Sequence, residues 1–119
     1  MSEIRAVKTY VGELHGRDAI FLDKEKYVPN ENMLILHGEL NGNLLEKPAE
    51  DTFIPYNIQF YEVITYRKIE LDEWLSMDTL PFHLTSCFYE YEESGIKVYV
   101  FQTYDEVFEV KCGGYKIET

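Results

Sequence analysis

A mainly β fold of the α+β class is the architecture this sequence predicts: an antiparallel, barrel-like or strongly curved sheet built from hairpins, with one short helix near residues 70–77. Three observations lead there. The stretch Phe53 to Leu71 places Ile54, Tyr56, Ile58, Phe60, Ile64 and Tyr66 at every second position, with Glu62 the one interruption. That is the period of a strand, and β-branched and aromatic residues suit a pleated surface. Short apolar runs separated by turn residues recur along the chain. No alternation of strands with helices occurs, which argues against a doubly wound parallel sheet.

Ile4 to Leu14 is the first strand candidate, broken by His15-Gly16-Arg17-Asp18. Ala19-Ile20-Phe21-Leu22 returns as a short partner strand. Asp23 to Asn32 is charged, contains Pro29 and reads as a loop. Met33 to Leu40 is a third strand. It is followed by Asn41-Gly42, the dipeptide best suited to the positive φ angles of a tight hairpin turn. Asn43-Leu44-Leu45 starts a return that Glu46 to Asp51 cuts short.

Within the long stretch, Pro55 belongs near the strand's start or at an edge, because proline offers no N–H to the ladder. The period then changes. Leu71, Trp74, Leu75 and Met77 share one side at helical spacing, and Glu70, Asp72 and Glu73 suit a helix N-terminus.

Leu84–Tyr91 and Ile96–Thr103 flank Glu92-Glu93-Ser94-Gly95 as a hairpin. A three-residue loop with Gly95 left-handed and a two-residue Ser94-Gly95 loop both fit. The two differ by one residue of register, which exchanges the faces. The two-residue loop unites Tyr89, Tyr91, Ile96, Val98 and Val100 on one face. Tyr104-Asp105 turns the chain, Glu106 to Lys111 returns, Gly113-Gly114 turns again, and Tyr115-Lys116-Ile117 closes an edge.

The length, 119 residues, suits one domain over residues 1–119 with a real core. The formal net charge of −11 disfavours phosphate backbones and anionic membranes as partners. The chain has no apolar leader or membrane-length run, and only two cysteines, Cys87 and Cys112. A cytoplasmic protein with reduced thiols is therefore expected.

Chemistry-bearing patterns are sparse. His15, His37 and His83 are far apart in sequence. His37 and Glu39 share a strand face, but no Pro-Cys-x-x-Cys follows to complete a zinc-deaminase pattern. His83 and Cys87 are more than ~10 Å apart if extended, too far for a nucleophile and its base. The seven glycines have neither dinucleotide-loop nor P-loop spacing. No cofactor, metal site or catalytic residue is expected.

Acidity combined with ten tyrosines points first to a non-enzymatic interaction or regulatory module for a basic protein partner. Its expected contact residues are Tyr89, Glu90, Tyr91, Glu92, Glu93, Tyr99 and Tyr104. Some of these tyrosines must face the core, so a subset serves. The alternative is a small-ligand pocket at the sheet mouth lined by Tyr56, Tyr66, Trp74 and His83. The third reading is a hydrolase or lyase using scattered carboxylates and His37.

Overall fold

The computed structural model describes residues 5–7, 19–41, 53–76 and 87–118, with backbone alone at 6 and 74–76. Among these residues, nine strands form two antiparallel sheets, and one short helix lies at the end of β5. The strands are β1 (Arg5–Ala6), β2 (Ile20–Val28), β3 (Met33–Asn41), β4 (Phe53–Tyr61), β5 (Thr65–Glu70), β6 (Phe88–Glu93), β7 (Ile96–Gln102), β8 (Glu106–Cys112) and β9 (Gly114–Glu118). The helix α1 spans Leu71–Ser76. One sheet runs β1-β6-β7-β8-β5 and the other β2-β3-β4-β9. Among the described residues the ladders do not close into a single ring; the antiparallel β architecture, expected as barrel-like or strongly curved, takes the form of two sheets with the core between them.

The core lies between them. Leu34, Leu36, Leu40, Tyr56, Ile58 and Phe60 line the inner face of one sheet; Phe88, Tyr99, Phe101, Phe108 and Val110 line the other. Phe60 sits at the junction, with ring centroids 6.3, 5.9 and 6.5 Å from those of Phe88, Tyr99 and Phe101. The Phe88 and Phe101 contacts are edge-to-face, an arrangement that matches the aromatic quadrupoles and adds to the area buried, and the Tyr99 contact is tilted. Val98, Tyr99, Val100 and Phe101 are buried in succession. The outer face of β7 is covered as well: Val100 joins Tyr89, Val107 and Leu71 of α1 in a second apolar cluster. A central strand covered on both sides needs no polar alternation.

Several expectations change. The 53–71 stretch is two strands in different sheets rather than one long strand. Glu62 adopts φ 54°, the left-handed region, at the crossing. The bend reverses the inside–outside order locally: Val63 enters the core, and Ile64 is 64% exposed rather than buried. The segment 23–28, read as loop, continues β2 to Val28. Its charges are tolerated because β2 is an edge strand, where charged side chains reach water and discourage further pairing. A register irregularity between Leu22 and Lys24 also breaks the alternation.

The β6–β7 hairpin takes the two-residue loop. Glu93 pairs with Ile96, and Ser94 and Gly95 have φ 54° and 80°. Two consecutive positive φ angles match the twist of the flanking strands. Leu71 is buried as expected; the side chains of Trp74 and Leu75 fall outside the described residues, as do Gly42, His15, His83 and most of the first strand candidate. No helix among the described residues is long and apolar enough to cross a membrane.

Candidate functional site

One chain reversal and two crossings between the sheets meet at one end of both sheets. They are the turn Pro29–Asn32, the crossing Glu62–Ile64, and the junction at Gly113. Backbone hydrogen bonds tie them together. Val63 N–H donates to Asn32 O (2.8 Å), Ile64 N–H to Lys111 O (2.8 Å), and Gly113 N–H to Tyr61 O (3.0 Å). The Ser94-Gly95 turn lies beside them, because Lys97 at its base pairs with Cys112 on β8.

Between these segments opens a cleft of about 420 Å³, lined by Glu62, Ile64, Glu92, Ile96, Lys97 and Cys112 together with Gly95 and Gly113. The Glu62 side chain lies across Gly113, and the Tyr61 ring lies across Gly114; a Cβ on Gly114 would stand 2.6 Å from Tyr61 Cζ. Consecutive glycines are needed here because two side chains rest directly on the backbone. Tyr61, 41% exposed, and Ile64 flank Glu62 in the chain and present apolar area to the surface. Neither Glu62 nor Glu92 joins an ion pair among the described residues.

The expected partner-binding residues do not form one surface. Tyr89 and Tyr99 are 4% and 3% exposed and present no ring to a partner, because the hairpin register turns each into an apolar cluster. The Tyr99 hydroxyl donates to Glu90, which also pairs with Arg5 at 3.6 Å. Tyr91 is half-buried and donates to Glu109, which Arg67 holds through two hydrogen bonds of 3.0 and 3.3 Å. Burial, with Glu109 and Glu93 nearby, pushes the Tyr91 hydroxyl up to about 12. Glu93 faces Lys111 at 3.5 Å. Tyr104 lies beyond the opposite end of β7 from the Ser94-Gly95 turn, stacked on Phe21 with centroids 5.4 Å apart. Of the predicted set, Glu92 alone lines this cleft.

The expected ligand-binding residues are also separated. Tyr56 is buried between the sheets, and its hydroxyl donates to Phe21 O. Tyr66 is half-buried against Tyr27, centroids 5.5 Å apart. Neither lines the cleft above, nor a second cleft of about 480 Å³ lined by Lys68, Glu70, Asp72, Asp105 and Glu106. Lys68 there pairs with Glu106 at 2.9 Å and also with Glu25. Trp74's side chain and His83 lie outside the described residues.

His37 is exposed on the outer face of β3. Among the described residues, no three of His, Cys, Asp and Glu gather as a metal-binding group. Cys87 and Cys112 are buried thiols in no disulfide; burial pushes them up to about 12 and about 11. Thiols so held are protonated near neutral pH and poor nucleophiles. Tyr61, Glu62, Ile64 and Ile96 were not singled out by their sequence pattern as site residues. The available signal was Glu62 itself, the one break in the alternation of 54–66.

No family model and no curated protein matches the chain. Among solved structures, an uncharacterized protein from Neisseria gonorrhoeae is similar over 100% of this chain and 98% of that one, at 10% identity and a TM-score of 0.47.

Proposed function

We propose that this protein is a non-enzymatic interaction module that takes a basic protein partner at the end carrying Glu62 and the Ser94-Gly95 turn. The observation that carries the reading is that exposed Tyr61 and Ile64 flank Glu62 in the chain, a carboxylate in no ion pair among the described residues. Apolar anchors beside uncompensated charge suit a partner that brings both apolar contact and positive charge. The net charge of −11 supports a basic protein over a nucleic acid, whose phosphates this surface would repel. Acidic charge would speed encounter, and the apolar residues would slow release.

The test is affinity capture from cells that make the protein, at low and moderate salt, with wild type beside Ile64→Lys and Glu62→Gln/Glu92→Gln. Ile64 is exposed, so its replacement leaves the fold intact. Support is a protein with a basic contact surface, retained by wild type, weakened by salt and lost with either variant. Equal capture by all three proteins, or a partner as acidic as this chain, would overturn the reading.

A further inference from the structure

Among the described residues four strands have a neighbour on one side only: β1 and β5 in one sheet, β2 and β9 in the other. Such an edge offers unpaired backbone N–H and C=O groups to another strand, and proteins guard it with very short strands, bulges and inward-pointing charges. Three of these edges are guarded. β1 is two residues long among those described. β2 has a register break between Leu22 and Lys24, and its Glu25 stands opposite buried Leu36. On β5, Lys68 stands opposite buried Phe108. Glu25 and Lys68 therefore occupy core-facing rows, and the ion pair between them joins the two sheets where β2 and β5 meet.

β9 carries none of these guards. At five residues it has ordinary strand length. Its register with β4 is unbroken from Gly114 to Glu118. Its inward row is apolar: Tyr115 and Ile117 pack on the core yet stay only half-buried. Its other row holds Lys116 and Glu118, exposed and 2.8 Å apart, so the strand is neutral in a chain of net charge −11.

The order of charges on β9 selects the occupant. When two identical strands pair antiparallel, residues equally far from the centre stand opposite one another. With Ile117 at the centre, Lys116 of each copy faces Glu118 of the other, once on either side. Centred on Lys116 instead, the pairing sets two lysines face to face. Opposite charges directly across a ladder stabilise it and like charges destabilise it. We infer that β9 is the edge through which a second copy of this chain docks, antiparallel about Ile117 and across a two-fold axis. The β2-β3-β4-β9 sheet then continues into β9 of the other copy, and the half-exposed Ile117 side chains cover one another. This contact is independent of the reading at the Glu62 cleft. One added strand on each side falls below the ~1,200–2,000 Å² of a stable interface, so the dimer is weak. The net charges of two copies also oppose it until salt screens them.

The test is sedimentation equilibrium of the full chain over a range of concentrations at ~0.15 M salt. The average mass should rise from one copy towards two. Lys116→Glu sets Glu opposite Glu at both positions, and Glu118→Lys sets Lys opposite Lys. Each variant alone should self-associate about tenfold more weakly, the scale of two cross-strand charge pairs reversed. Mixed in equal amounts, the two variants restore both opposite-charge pairs, so the mixture should associate as strongly as wild type. A general effect of net charge would instead weaken one variant and strengthen the other. Both side chains are exposed, and a thermal melt of each variant confirms folding. A wild type that stays at one copy throughout, single variants that associate as wild type does, or a mixture no stronger than the variants alone would overturn the inference.

Discussion

The hydroxyl of Tyr56 donates a 3.0 Å hydrogen bond to the carbonyl oxygen of Phe21, reaching across β3 at Gly38. Gly38 pairs with Tyr56 on one side and Leu22 on the other, and a Cβ there would stand 2.8 Å from the Tyr56 hydroxyl and collide with the Phe21 carbonyl. The bare α-carbon is what lets the phenol cross. Tyr56→Phe should lose about 1–2 kcal/mol, because the part-buried carbonyl then lacks this donor. Gly38→Ala should lose more, because backbone must move rather than the end of a flexible side chain. Urea denaturation of both variants checks the order.

Phe60 and Ile64 belong to the same alternating series in the sequence, yet their truncations should differ sharply. Phe60 is fully buried against three aromatic rings, so Phe60→Ala should lose roughly 3–5 kcal/mol. Ile64→Ala, on an exposed side chain, should change stability by less than ~0.5 kcal/mol. Chemical denaturation with equal losses at the two positions would contradict the crossing at Glu62.

Glu62→Asn should move stability and binding in opposite directions. Asparagine tolerates the left-handed backbone, so the melting temperature should hold or rise, with a gain of up to ~1 kcal/mol. The loss of the carboxylate should weaken capture of a basic partner. A melt that falls by several degrees would show that the Glu62 side chain supports the bend itself.

Alkaline pH should destabilise the protein through its thiols. Burial pushes Cys87 up to about 12 and Cys112 up to about 11, against about 8.5 for a free thiol. Between these values the unfolded chain has lost protons that the folded chain keeps. Stability therefore falls as pH rises above ~8.5, by at most about 1.4 kcal/mol per pH unit for each thiol, and is indifferent to them below pH ~7.5. Urea midpoints at pH 7.5 and pH 10 measure the fall. Cys87→Ala and Cys112→Ala, although less stable overall, should each flatten it.

What the chain determines by itself is local. The period-two run at 53–60 and the short apolar runs at 33–40, 96–102 and 106–111, bounded by turn residues, mark strands whatever the partner. The change to helical spacing at Leu71 likewise announces α1. Acids clustered between 90 and 93 are visible, but their pairing with Arg5 and Lys111 is not, since those partners come from distant strands.

Tertiary structure decided the rest. It chose the Ser94-Gly95 register, which placed Tyr89 and Tyr99 in packing rather than on a surface. It extended β2 through Asp23 to Lys26, because the ladder to β3 does not depend on side-chain polarity at an edge. It also turned Glu62 from an interruption in one strand into the crossing between two sheets. Glu62, Ile64, Glu92, Ile96 and Gly113 come from three separated segments, so the cleft they share arises only when β5, β6, β7 and β8 are hydrogen-bonded in register. A sequence period reports which face a residue takes on its own strand. Which strands meet is set by burial of both inner faces at once, a property of the whole chain.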